Sequence, residues 1–99
     1  MSTQPTVFQE IKQYIQNSGY SSYSSWYAGV ASNAKERLFD DHKVDQANGR
    51  WIYRTLSTDD EARTVEEALL ALGCKGGPGG GDASTNKVYA YLITSTTVE

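Results

Sequence analysis

The chain lacks a basic excess. Nine Lys and Arg stand against 12 Asp and Glu, for a formal charge of −3. It therefore has no bulk positive charge of the kind that usually holds nucleic-acid phosphates. Cys74 is the single cysteine, which excludes a disulfide within the chain. His42 is the single histidine, so a catalytic thiol would have only that partner. No apolar run approaches the ~20 residues of a membrane-spanning helix. Met1-Ser2-Thr3-Gln4-Pro5 carries no basic or hydrophobic signal region. These absences lead us to expect a soluble, cytoplasmic protein with no membrane contact. Cys74, between Gly73 and Lys75, is expected to be a small filler residue in a reduced compartment.

What is present is aromatic. The apolar fraction is only 38%, but 11% of the residues are Phe, Trp or Tyr, and seven are tyrosines. A chain of 99 residues makes one domain and buries roughly 60–65% of its unfolded surface. Aromatic side chains are expected to thicken that core.

Val7, Phe8, Ile11, Tyr14 and Ile15 recur at helical spacing and predict a helix over 6–17, with Thr6 and Gln9 as a capping box and Gly19 as the stop. Residues 18–25, rich in Ser and Tyr, predict a loop from which Tyr20 and Tyr23 fold back onto the core. Trp26 to Ala31 reads as a short strand, followed by a helix from Ser32 or Asn33 to Asp41. Asn48-Gly49 marks a turn. Arg50 to Leu56 is the best strand by propensity, with Trp51, Tyr53 and Thr55 on one face and Ile52, Arg54 and Leu56 on the other. Ser57 or Thr58 opens a helix that ends at Gly73, and Asp59, Asp60 and Glu61 suit its positive end. A glycine-rich loop spans 73–85. The last strand covers 86–94, with Val88, Ala90 and Leu92 alternating with Tyr89, Tyr91 and Ile93. The predicted fold is α+β, in the order α-β-α-β-α-β, with a small, mostly antiparallel three-stranded sheet flanked by helices.

Several side chains carry chemistry. At about 100° per residue, Glu66 falls on the side of the long helix that holds Ala62, Val65 and Leu69, while Glu67 points away. A carboxylate at the margin of an apolar stripe loses some hydration and usually has a partner; Glu66 either snorkels to water or pairs with Arg54 or Arg63, or else serves as a metal ligand or general base. Arg37 is placed either to pair with Asp41 one helical turn on, or to act as a fixed cation beside a transferring phosphoryl group. His42 suits a helix C-terminus, where its cation is favoured. Tyr27 is either a core residue or a hydroxyl aimed into a cleft. The stretch Gly73 to Asp82 is either a connector or an anion cradle built from backbone amides. It is neither a Walker A loop nor a dinucleotide fingerprint.

Residues 25 to about 72 together resemble a GIY-YIG nuclease. Tyr27-Ala28-Gly29 is similar to the second half of that family's name motif. Asn33 to His42 resembles its helix, with Arg37 in the place of the family's arginine and His42 near its histidine. Ala62 to Leu70 resembles its second helix, with Glu66 at the metal-binding glutamate. No GIY-like strand precedes Tyr27. Val88-Tyr89-Ala90-Tyr91 is the comparable strand, so the resemblance implies a circular permutation in which the last strand takes the first strand's place. Tyr89, with Tyr91 as second choice, then supplies the missing tyrosine, and Asn86 stands for a late asparagine.

The resemblance implies a catalytic set of Tyr27, Arg37, His42, Glu66 and Tyr89. It also implies one Mg²⁺ or Mn²⁺ on Glu66 and hydrolysis of a phosphodiester in DNA or RNA. The acidic balance motivates a different reading, a non-catalytic module on the same scaffold that binds a protein partner or a phosphorylated ligand. In the plainest reading the domain carries only solvated surface charges, and Glu66 and Arg37 lie far apart.

Overall fold

A computed structural model describes residues 4–76 and 85–98. Helix α1 (Gln4–Asn17) leads through a 3-10 turn (Tyr23–Ser25) into strand β1 (Trp26–Ala31). A π-helical segment (Glu36–Asp41) then precedes strand β2 (Trp51–Thr55), helix α2 (Asp59–Leu72) and strand β3 (Lys87–Leu92). The fold is α+β with a three-stranded antiparallel sheet, as the sequence predicts. Among the described residues no helix is long and apolar enough to cross a membrane.

The strand order is β1-β3-β2, so the last strand lies in the middle and pairs antiparallel with both neighbours. Tyr27 faces Tyr91 and Gly29 faces Tyr89 on one side, while Trp51 faces Tyr91 and Tyr53 faces Tyr89 on the other. Side chains alternate across the pleat, so each face has its own core. Val88, Ala90, Trp26, Ala28 and Ile52 pack beneath α1 and α2, against Val7, Ile11, Ile15, Ala62, Val65 and Leu69. Tyr89 and Tyr91 form the opposite face with Leu38, Ala34 and Val44, joined by Tyr27, Phe39, Trp51 and Tyr53.

Local chemistry sets the ends of α2. The Thr58 hydroxyl accepts the Glu61 backbone N–H at 3.2 Å, which satisfies one orphan donor. Gly73 closes the helix at φ 119° and donates to the Leu69 and Leu70 carbonyls, a left-handed cap that glycine adopts without strain. Beyond it the chain runs along β1. Lys75 N–H donates to the Trp26 carbonyl, and Lys75 O accepts from Ala28 N–H, each at 2.8 Å.

Some boundaries differ from the prediction. Helix α1 already includes Gln4 and Pro5, so Thr6 lies inside the helix rather than at its cap. Pro5 suits the first turn of a helix, where no intrahelical N–H bond is needed. Residues 32–41 do not form a regular α-helix. Asn33 caps through its side-chain oxygen, 3.1 Å from Glu36 N, and two α-helical residues give way to the π-helical turn. Tyr23 packs on the core, but Tyr20 stays half exposed and its ring meets the Arg50 guanidinium at 5.3 Å. Of the glycine-rich loop, residues 77–84 lie outside the described residues, and with them most of the stretch read as either a connector or an anion cradle.

Candidate active site

The π-helical turn aims His42 inward. Its last bond runs from His42 N–H to the Arg37 carbonyl at 2.9 Å, five residues back. Lys43 then takes a left-handed conformation at φ 58°, uncommon for a residue with a side chain. Widened turns of this kind recur at functional sites. Together the two irregularities seat His42, only 7% exposed, against the tyrosine face.

The imidazole is held at both nitrogens. Nδ1 lies 2.7 Å from the Val98 carbonyl oxygen. A carbonyl can only accept, so Nδ1 carries the proton. In the neutral ring Nε2 is then the acceptor, and it receives the Tyr89 hydroxyl at 2.8 Å. Tyr91 braces the same corner, with its hydroxyl 3.1 Å from Nδ1 and donating to Val98 O at 3.3 Å. Val98 N–H donates in turn to the His42 carbonyl at 2.7 Å. Tyr27 lies against this group, its ring centroid 4.7 Å from His42, 5.3 Å from Tyr91 and 6.5 Å from Tyr89.

Gly29 makes room for the Tyr89 phenol. A Cβ on Gly29 would stand 2.6 Å from the Tyr89 hydroxyl oxygen and 2.7 Å from Cζ, inside any tolerable contact. The phenol therefore crosses β1 above a bare α-carbon. Burial pushes the Tyr89 phenol well above the ordinary tyrosine range, and the neighbouring Tyr27, Glu66 and Asp41 push the same way, while Arg37 opposes them. Tyr89 is accordingly a neutral donor at neutral pH. Tyr27, Arg37 and Glu66 all lie within electrostatic reach of its hydroxyl.

Glu66 is buried on α2, 7% exposed. Loss of hydration raises its carboxyl above the usual carboxylate range. Arg63 counteracts this, and Glu67 adds to it. Of the two arginines that the sequence offers as partners, Arg54 turns instead to Glu10, its Nε 3.1 Å from the carboxylate. Arg37 takes the pairing expected from its spacing, 3.6 Å from Asp41, with both side chains at least half exposed. Such a pair contributes only about 0.2–1 kcal/mol, so the guanidinium is easily drawn to an anion.

Asn86 is occupied elsewhere. Its amide donates to the Leu56 carbonyl at 3.0 Å, which fastens the start of β3. Cys74 is buried, and burial pushes its thiol up to about 11, so it is a packing residue rather than a nucleophile.

No cluster of three or more His, Cys, Asp or Glu placed to hold a metal occurs among the described residues. A hard divalent ion is suited by one carboxylate with substrate oxygens and water completing the shell, and Glu66 has the chemistry for that.

Sequence reasoning missed the Val98 carbonyl, which carries no side-chain signal. It also treated Tyr91 as a substitute for Tyr89, whereas both enter the cluster. The signal for that was available: residues two apart on a strand share a face. The chain matches no protein-family model, no curated protein and no solved structure.

Proposed function

We propose that the site around Tyr89 hydrolyses phosphodiester bonds in nucleic acid, as a circularly permuted GIY-YIG-like domain. The observation that carries the reading is the Tyr89 hydroxyl held 2.8 Å from Nε2 of His42, with the Tyr27 ring stacked alongside and the charges of Arg37 and Glu66 within electrostatic reach.

The chemistry follows from the hydrogen-bond directions. A water beside Tyr89 gives a proton to the phenol oxygen as the phenol passes its own proton to His42 Nε2. The oxygen lone pair of that water attacks phosphorus, and the bond to the leaving oxygen breaks. His42 then holds two N–H groups, one facing Val98 O and one facing Tyr89 O, so the imidazolium has an acceptor on each side. A neutral phenol suits this relay, since Tyr89 needs no free phenolate. Arg37, tethered only by an exposed pair, stabilises charge on the phosphoryl oxygens. Glu66 would hold one Mg²⁺ or Mn²⁺, which when bound polarises the phosphate and stabilises the leaving oxygen.

Incubation of the purified protein with plasmid and single-stranded substrates in Mg²⁺ or Mn²⁺ tests the reading. Cleavage that falls about a hundredfold or more in Glu66→Gln is the expected result, in line with the loss of a charge-stabilising group. Cleavage that is equal in the wild type and Glu66→Gln overturns it.

A further inference from the structure

Beside Tyr89 and Tyr91 the aromatic face continues onto β2. Tyr53 is the register partner of Tyr89, and Trp51 of Tyr91. The Trp51 and Tyr53 rings lie nearly parallel, 10° apart with centroids separated by 6.4 Å. Phe39 supports Trp51 edge-on at 4.9 Å, and the Gln46 carbonyl accepts the indole N–H at 3.1 Å. Both rings are partly exposed and border a groove of about 550 Å³ along the outer edge of β2, lined also by Tyr14, Ile52, Arg54 and Thr55.

From these observations we infer that Trp51 and Tyr53 form a stacking platform for unpaired bases, and that the substrate of the site is single-stranded nucleic acid. The inference rests on the phosphodiester reading of the Tyr89 site. Continuity supports it: Tyr53, Tyr89 and Gly29 form one cross-strand row, so the platform begins about 10 Å from the hydroxyl over Gly29, two strand spacings away. A base on a nucleotide neighbouring the scissile phosphate reaches that far. Stacked bases inside a duplex offer no free face to these rings.

The same edge argues against a peptide occupant. A peptide strand adding to β2 would need its outward N–H and C=O groups. The Trp51 N–H is already given to the Tyr14 hydroxyl at 3.0 Å, and the Tyr53 carbonyl already accepts from Arg54 Nη1 at 2.8 Å. Stacking uses ring faces alone and breaks neither bond. It also reconciles nucleic-acid binding with a net charge of −3, because stacking affinity does not depend on neutralising many phosphates.

Tryptophan fluorescence titration in EDTA tests the platform without cleavage. Trp26 is fully buried, so contact quenching reports on Trp51. A short single-stranded oligonucleotide should quench the emission and bind at least about tenfold more tightly than its duplex. Tyr53→Ala should weaken that binding by about tenfold, the typical loss for one base stack. Tyr53→Leu preserves bulk and should weaken it similarly, which separates stacking from misfolding. Equal affinity for the duplex, or affinity unchanged in Tyr53→Leu, overturns the platform. If single-strand binding holds while no cleavage occurs, the platform stands and the hydrolytic reading falls.

Discussion

The hydroxyl of Tyr89 sits where the side chain of residue 29 would begin, 2.6 Å from the position of a Cβ on Gly29. This contact joins packing to chemistry. The phenol reaches His42 because its cross-strand neighbour is glycine.

Gly29→Ala should therefore push the phenol off Nε2 of His42. Overpacking of this kind costs about 1–3 kcal/mol, and about 4–8 °C of melting temperature per kcal/mol in a domain of this size. Calorimetry should show that loss, and cleavage should fall with it. A Gly29→Ala variant as stable and active as the wild type would remove the role given to this glycine.

Glu66→Gln should separate stability from activity. Burial raises the carboxyl of Glu66, so the folded state keeps its proton to higher pH than the unfolded chain does. Stability is then lost as pH rises from the ordinary value of 4.5 through the raised one. The glutamine variant carries no such charge. It should melt higher than the wild type at neutral pH, with the difference disappearing below the ordinary value, while cleavage falls about a hundredfold. Thermal melts across acid and neutral pH check the crossover.

Tyr89→Phe should act at the alkaline end. The folded phenol holds its proton above the ordinary value of 10.0, so stability falls as pH rises past it. Phenylalanine removes that part of the slope. At neutral pH the variant loses one hydrogen bond and leaves Nε2 of a buried imidazole without its donor, a cost of about 1–3 kcal/mol. Denaturant titrations at neutral pH and above pH ~10 measure both effects.

Much of this fold was legible. The apolar spacing of Val7, Ile11 and Ile15, the alternation in β2 and β3, and the Thr58 and Gly73 signals around α2 each give an element close to its observed bounds. These are local properties, decided within a turn or a pleat. The π-helical turn was not legible, because a widened turn has no residue signature of its own and is fixed by what His42 packs against. Strand order was also hidden. Nothing local in Lys87–Leu92 says that it pairs on both sides, although its Val88-Tyr89-Ala90-Tyr91 core, buried on both faces, is the physical consequence. The set Tyr27, Arg37, His42, Glu66 and Tyr89 came from the family resemblance rather than from any local pattern. The hydrogen bond between Tyr89 and His42 and the stacking of Tyr27 beside it depend on that strand order.

The tautomer of His42 is directly observable. The Val98 carbonyl at 2.7 Å requires the proton on Nδ1. Nitrogen NMR of the neutral ring should show a protonated Nδ1 and an unprotonated Nε2. The reverse pattern would mean that Tyr89 accepts from the ring, and the proposed relay would fail.

Cys74 should resist alkylation. Its buried thiol is pushed up to about 11, so at pH ~8 it is almost entirely protonated and shielded. Iodoacetamide should label the native protein far more slowly than the unfolded chain, and labelling should track unfolding. Rapid native labelling would show that the segment after Gly73 opens on its own.

The placement of β3 between its partners has a consequence for biosynthesis. A ribosome that has not yet passed Lys87 has made two strands whose shared central partner is still absent. Both must wait with bare edges, which invite wrong pairings. Their ladders with β3 close over long stretches of chain, the kind of contact that assembles late. Until Lys87–Leu92 is made, neither β1 nor β2 can take its place in the sheet, so this strand completes the ladder for both at once.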